Sequence, residues 1–516
     1  MRKRFNVTGS CNPERHYMVD SAKRFAAVEA LIDQGEYFTI NRARQYGKTT
    51  TMRMIWRKLS DKYLIVDTSL EGVGDKSFED EQTFAQLIVE LIKQALIINK
   101  ADSKLIDFLG ASKPLNLKEL SSIISDFCNM SSLPVLLMID EVDKSSDNQL
   151  FLSFLGMLRE LYLLRDKRGM DSTFHSVVLA GVYDVKNLKL RLRPDEERKY
   201  NSPWNIAADF NVDMTFHPDE IAQMLADYEA DNHTGMDINA ISHEIYKYTS
   251  GYPFLVSYIC KTIDERLNRQ WNETSIVKTV KLLAQGGSTL MDDLAKNLEN
   301  YPEFREFMFL VSVNSKVYTF TLVDPMVSMG NMFSYIRNVD GHVAIHNLVF
   351  EETLYAYFCN RTMFEQGYRL SPFQLNYVRG GRLMMEHVVE RFRDLIREEY
   401  RESDEAFLER QGRLLFLTFL KPVINGTGFY YVEPQTRDNR RMDLVVTYGQ
   451  EEFIVELKIW RGTKYEESGR DQLAAYLHSR GLQRGYLVTF DFSKHKHDTA
   501  PQWITHNGKQ LYEVII

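Results

Sequence analysis

Residues 36–52 read EYFTINRARQYGKTTTM, and this stretch decides the fold. EYFTI is a short apolar run of strand length. NRARQYGK follows as a loop, and TTTMRMIWRKL (49–59) has helical spacing of its apolar residues. A strand, a tight loop and a helix in that order point backbone N–H groups and a helix N-terminus at one spot, where they favour phosphate. In Gly47-Lys48-Thr49 the lysine reaches terminal phosphates and the hydroxyl suits magnesium. The loop departs from the ordinary motif at its start, where Arg42 replaces the first glycine.

Working outward, residues 17–60 read strand, helix, strand, loop, helix, with SAKRFAAVEALIDQG (21–35) as the first helix and Gly35 as its stop. YLIVDTSL (63–70), LPVLLMID (133–140) and HSVVLAGVYD (175–184) read as buried strands. Helices are expected over 80–98, 115–129 and 151–166. Strands alternating with helices predict an α/β fold with a parallel sheet. The strand 133–140 ends in Asp140-Glu141, a carboxylate to order the magnesium shell and a second to polarise water.

EYFTINRARQYGKTTTM, IDEVD, VVLAGVYD, NSPWNIAADF and TSGYPFLV together resemble the AAA-like ATPases of bacteria, close to the STAND and archaeal-type members of AAA+, over about residues 10–300. In that family an arginine-containing loop replaces the glycine-rich start. The resemblance implies ATP and Mg²⁺, with nucleotide contacts at Gly47, Lys48, Thr49 and Thr50. It implies metal ordering by Thr49 and Asp140, and catalysis by Glu141. Gly251-Tyr252-Pro253 is similar to the GxP turn of the STAND lid, which implies that Pro253 packs near the nucleotide. Arg191, Arg193 and Arg198 stand where an arginine finger could, although a solvated loop is the plainer reading for each.

The pattern changes after about residue 215. HPDEIAQMLADYEAD, INAISHEIYKYTSG and PFLVSYICKTIDERLN are three successive helices. Residues 301–365 combine helices with VYTFTL and HVAIHN about a turn at Asp340-Gly341, an order that resembles a winged-helix unit. The expected division is an ATPase domain at 1–215, a helical lid at 216–300, a winged-helix-like domain at 301–365 and a C-terminal domain at 380–516.

The second chemical signal lies at 443–476. Asp443 interrupts the apolar run RMDLVV, and IVELKIW follows with Glu456 and Lys458. Positions i and i+2 of a strand share a face, so these two charges project together. A charged pair on so apolar a strand is costly if buried and idle. Two carboxylates suit Mg²⁺, and a lysine beside them can orient water and steady charge on phosphate. Gln472 and Tyr476 share one face of the next helix. Asp443, Glu456-Leu457-Lys458 and Gln472 to Tyr476 resemble the PD-(D/E)XK nuclease superfamily, with Met442 where proline is usual. The resemblance implies an α/β restriction-endonuclease-like domain. Its catalytic residues would be Asp443, Glu456, Lys458 and Gln472. Its metal ligands would be Asp443 and Glu456, with Glu409 added from the preceding helix and Glu405 as second choice. Mg²⁺ is the expected ion there, with Mn²⁺ as a substitute.

Arg410, Arg413, Lys421, Arg437, Arg440, Arg441, Arg461, Lys464 and Arg470 surround that motif and offer a grip on a phosphate backbone; a solvated surface is the alternative, and their density near the motif favours nucleic acid. DNA is the expected substrate of an ATP-controlled nuclease. A signalling or scaffold ATPase, whose C-terminal domain only binds nucleic acid or protein, is the rival. Net charge is −8 over 516 residues, which excludes a uniformly basic coat but not a local basic groove. The four cysteines are widely spaced, against zinc knuckles and redox pairs. With no long apolar run, a cytoplasmic protein without a membrane span is expected. Self-association is compatible with the sequence.

Overall fold

The computed structural model describes residues 3–145, 148–169, 172–182, 204, 206–284, 286, 288–313, 318–365, 377–399, 409–424, 428–432, 443–460, 463–491 and 499–516. The chain forms two compact units. One comprises Met1–Thr279 with Ser328–Tyr335, the other Val280–Val327 with Ile336–Ile516.

The first unit opens with helix α1 (Ala22–Asp33), strand β1 (Tyr37–Asn41) and helix α2 (Lys48–Leu59). Strand β2 (Leu64–Ser69), helices α3 (Glu81–Ile98), α4 (Ser103–Ala111) and α5 (Leu117–Met130), strand β3 (Val135–Asp140), helix α6 (Gln149–Leu163) and strand β4 (Ser176–Gly181) follow. The strands are parallel in the order β1-β4-β3-β2. Ala208 adds a parallel bridge to Phe38 at the β1 edge. Strands β3 and β4 are almost wholly buried, which is why they read as unbroken apolar runs. Phe84, Phe127, Phe151 and Phe154 fill the core between sheet and helices.

Helix α4 was not legible as a separate element. Asp102 caps it by accepting from the Lys104 N–H, and Leu105 and Leu109 seat it on the core. A strand ahead of α1 is absent among the described residues. That segment instead folds back on itself through a bridge between Arg4 and His16. Helices α7 (Pro218–Asn232), α8 (Ile238–Thr249) and α9 (Pro253–Arg266) form the helical part of this unit, and α10 (Glu273–Ala284) follows.

The second unit contains α11 (Thr289–Asn300) and α12 (Pro302–Val313). Helix α13 (Pro325–Met332) follows, and then the hairpin β5 (Ile336–Val339) and β6 (His342–Ile345). Asp340 and Gly341 both take positive φ, 51° and 83°, in the hairpin turn. Within VYTFTL, Thr319 makes an antiparallel bridge to His342.

After α14 (Leu348–Glu365), α15 (Met385–Glu399) and α16 (Glu409–Ile424) come strands β7 (Gly428–Val432), β8 (Asp443–Tyr448) and β9 (Glu451–Ile459), helix α17 (Thr463–Ser479), and strands β10 (Arg484–Phe490), β11 (Gln502–His506) and β12 (Lys509–Ile515). The six strands form a mixed sheet in the order β11-β12-β10-β9-β8-β7. Leu473 and Leu477 of α17 pack on Val445, Ile454, Leu487 and Leu511 of one face. Phe392 of α15 meets Phe416 of α16 and Phe490 of the sheet, at 4.9 and 6.3 Å between ring centroids. With helices on both sides, the middle of β9 is buried throughout, charged residues included. Among the described residues, no helix is long and apolar enough to cross a membrane. Cys11, Cys128 and Cys260 are free thiols.

Candidate functional site

In the first unit the loop after β1 turns twice through left-handed backbone, at Gln45 (φ 60°) and Gly47 (φ 87°), and α2 starts at Lys48. Arg42 explains its own presence. Its guanidinium donates to the Val212 carbonyl at 2.8 Å and lies 5.2 Å from the Phe210 ring centroid, while its N–H donates to the Gly181 carbonyl at 3.2 Å. It braces the loop against the sheet edge rather than leaving room as a glycine would. Burial pushes its pKa down from the ordinary arginine value.

Lys48 is buried, and its Nζ donates to the carbonyls of Arg42 at 2.8 Å and Ala43 at 3.1 Å. Burial lowers its pKa, and Asp143, Glu141 and Asp140 work in the opposite direction. Thr49 Oγ1 donates to Asp140 Oδ2 at 3.1 Å. A hydroxyl and a carboxylate converging so closely are hard oxygen donors that fit magnesium. Asp140 Oδ1 accepts the Glu141 N–H at 2.9 Å, and Glu141 itself stands at φ 55°. Thr50 Oγ1 accepts the Cys11 N–H at 3.1 Å.

Gly47, Lys48, Thr49, Thr50, Glu141 and Pro253 line one cavity of about 430 Å³. Asp140 meets this group through Thr49. Gly251 (φ 74°) passes so close to Phe216 that the Phe216 N–H donates to the Gly251 carbonyl at 2.8 Å. The next residue, Tyr252, donates its hydroxyl to the Arg44 carbonyl at 2.7 Å and sets its ring edge-on to Tyr46. The 251–253 turn therefore holds the loop as well as the cavity wall.

Sequence reasoning missed the segment ahead of α1. Asn6, Cys11 and Val19 line the same cavity. Phe5 and Tyr17 anchor this segment on Tyr228 and Trp271 of the helical part, with ring centroids 5.1 to 6.1 Å apart. Phe5 and Tyr17, two aromatic residues in a mostly polar stretch, were the available signal. Asp143 was also missed. Its Oδ2 accepts the Val182 N–H at 2.6 Å, beside Gly181, where a Cβ would come within 2.7 Å of Asp143 Oδ1. Arg191, Arg193 and Arg198 lie outside the described residues.

The environment of Glu141 yields a prediction. Burial first, then Asp140, raise its pKa above the ordinary 4.5. A carboxyl whose folded pKa is raised costs stability as it ionises. The cost is absent below 4.5, grows as pH rises through the folded value and stays constant above it. Glu141→Gln is therefore expected to raise the melting temperature of the first unit at pH 7–8 and to leave it unchanged below pH 4. Equal shifts at both pH values would refute this.

In the second unit Asp443 of β8 and Glu456 of β9 are direct cross-strand partners, so the two positions share a face. Glu456 is 1% exposed and Lys458 8%. Lys458 Nζ stands 2.8 Å from Glu456 Oε1 and donates to Gln472 Oε1 of α17, also at 2.8 Å. Thus Glu456, Lys458 and Gln472 form one buried cluster beneath α17. Tyr476, one turn on, lies under the Arg480 guanidinium at 5.6 Å. The oxygen donor of Glu456 and the paired position 443 suit a hard divalent ion. The side chains of Asp443 and Glu409 lie outside the described residues, as does Glu405. Among the described residues no three histidine, cysteine or acidic side chains gather as a metal cluster.

Of the basic residues around the motif, Arg470 is held by both oxygens of Glu513, at 2.5 and 2.8 Å. Its fork is therefore already occupied. The side chains of Arg410, Arg413, Lys421, Arg437, Arg440, Arg441, Arg461 and Lys464 lie outside the described residues.

Comparison with known proteins gives two family matches. The AAA-like domain matches residues 11–318, well over half of the chain, and the PD-(D/E)XK nuclease superfamily matches residues 427–500. No curated protein matches. Among solved structures, a Walker-type ATPase of Pyrococcus abyssi is similar at 12% identity, covering 68% of this chain and 99% of that one with a TM-score of 0.48. The ORC1 protein of Aeropyrum pernix in complex with DNA is similar at 13% identity, covering 67% and 94%, with a TM-score of 0.31.

Proposed function

The chain belongs to the AAA-like domain family, and on that premise we propose that it is an ATP-binding, ATP-hydrolysing switch controlling a metal-dependent nuclease that cuts DNA. The ATPase would occupy residues 1–215 and the lid 216–300, with a winged-helix-like domain at 301–365 and the nuclease domain at 380–516. A cytoplasmic role in defence against mobile DNA fits this reading by analogy alone.

The single observation that supports it most is the buried cluster of Glu456, Lys458 and Gln472, opposite position 443. Burying a lysine and a carboxylate costs several kcal/mol per ion in order of magnitude, and an apolar pair of the same volume would pack as well. A catalytic duty explains why the strand keeps them. Asp443, Glu456 and Glu409 would hold Mg²⁺ or Mn²⁺, which when bound supplies a Lewis acid for the phosphate. Lys458 would orient the attacking water and steady charge on the phosphoryl oxygens, and Gln472 would fix the direction of the Lys458 ammonium.

At the nucleotide site Lys48 would exchange its two carbonyl partners for terminal phosphate oxygens. Gly47, Thr49 and Thr50 would complete the cradle, with Pro253 as its lid wall. Thr49 and Asp140 would hold magnesium, and Glu141 would polarise water.

Purified full-length protein is expected to degrade plasmid and linear DNA with Mg²⁺ or Mn²⁺, and Asp443→Ala to lose this. Intact DNA under every metal and nucleotide condition would overturn the nuclease and favour a binding-only domain. Mn²⁺-dependent thermal stabilisation, abolished by Glu456→Gln, tests metal binding independently of cleavage.

A further inference from the structure

Two arginines stand between β1 and Lys48, and the structure treats them differently. Arg42 is committed to the Val212 carbonyl and the Phe210 ring. Arg44 is exposed and lines the cavity shared by Lys48, Thr49 and Glu141. Its main chain is held independently of Lys48: the Tyr252 hydroxyl donates to the carbonyl of Arg44 itself at 2.7 Å. Gln45 then turns away in left-handed backbone. The lid turn thus holds the main chain of a residue that lines the cavity.

Arg44 also bears electrostatically on Lys48. Two cations held on one loop repel in an empty site and become mutually useful when a polyanion enters.

We propose that Arg44 is a catalytic residue of the ATP site, contacting the terminal phosphate from within the same chain. Many P-loop enzymes receive such an arginine from a neighbouring molecule. The proposal rests on the ATP reading above. During hydrolysis the water oxygen bonds to the γ-phosphorus and the bond from that phosphorus to the β,γ-bridging oxygen breaks. ADP keeps the electron pair, and the water proton passes through Glu141 to the released phosphate. Arg44 takes no proton. It offsets the charge gathering on the γ-phosphoryl and bridging oxygens. The Tyr252 bond gives the lid turn a direct hold on the residue that does this.

The test uses full-length wild type, Arg44→Ala, Arg44→Lys and Lys48→Ala. ATP and ADP affinities are titrated, and hydrolysis is followed over a range of protein concentrations. Arg44→Ala is expected to weaken ATP at least about tenfold more than ADP and to slow hydrolysis on the order of 100-fold. Arg44→Lys should recover part of both. The rate per chain should not change on dilution, and mixing Arg44→Ala with Lys48→Ala should restore nothing. Equal losses for ATP and ADP, unchanged hydrolysis, or recovery on mixing would overturn the assignment. Wild type that binds neither nucleotide, with Lys48→Ala indistinguishable from it, would instead remove the ATP reading beneath it. If the alanine variant fails to fold, Arg44→Lys and the dilution series on wild type decide the matter.

Discussion

Lys458→Met is expected to reduce metal-dependent DNA cleavage by about 10²–10⁴-fold and to destabilise the second unit by about 3–5 kcal/mol. The two effects have different origins. Cleavage would fall because the ammonium proposed to orient water is gone. Stability falls because Glu456, 1% exposed, keeps its charge and loses the cation 2.8 Å away. Methionine fills most of the lysine volume, so a cavity contributes little. Glu456→Gln combined with Lys458→Met removes both charges, and this double variant is expected to regain most of the stability and none of the activity. Thermal or urea unfolding beside a cleavage assay separates the two. If the double variant were as unstable as the sum of the singles, the pair would not be coupled, and the case for a buried catalytic cluster would weaken.

Gly251→Ala carries the second large effect. The backbone there has φ 74°, which costs an alanine about 1–2 kcal/mol by itself. An added Cβ would also sit 2.1 Å from the Phe216 carbonyl oxygen, so the chain must move. We expect a total loss of at least about 3 kcal/mol in the first unit, in the range of overpacked or strained sites. ATP affinity should fall with it, because the neighbours Tyr252 and Pro253 hold Arg44 and line the cavity. Gly235→Ala is the control: its φ is 75°, yet a Cβ there meets nothing within 4 Å. It should lose only the backbone cost. Equal destabilisation by the two variants would show that the Phe216 contact does not matter.

The sequence made local features legible. Gly47-Lys48-Thr49 opens a helix because glycine alone accepts the left-handed turn cheaply, and that requirement is written in adjacent residues. The alternation of buried strands with helices revealed the α/β class, and Glu456 with Lys458 shared a face by strand periodicity alone. Contacts between distant segments were not legible. Arg42 looked like a defect in a glycine loop, since its partners at 210 and 212 lie some 170 residues away. The wall formed by Asn6, Cys11 and Val19 needed the aromatic anchors Tyr228 and Trp271 to be known. Arg470 looked available to phosphate because Glu513 is distant in sequence. Helix α4 escaped because it is only nine residues long, with Leu105 and Leu109 as its buried residues.

In the proposed function, nucleotide state governs cleavage. The most direct measurement is the cleavage rate of plasmid DNA with Mg²⁺ in the absence of nucleotide, with ATP and with ADP, for wild type and Lys48→Ala, with Lys458→Ala as the inactive baseline. The wild-type rate should differ by at least about fivefold between nucleotide states, within the usual range of coupling between sites. Lys48→Ala should cleave at one rate whatever nucleotide is present. Cleavage by wild type that is the same with ATP, with ADP and without either, and the same again in Lys48→Ala, would contradict it.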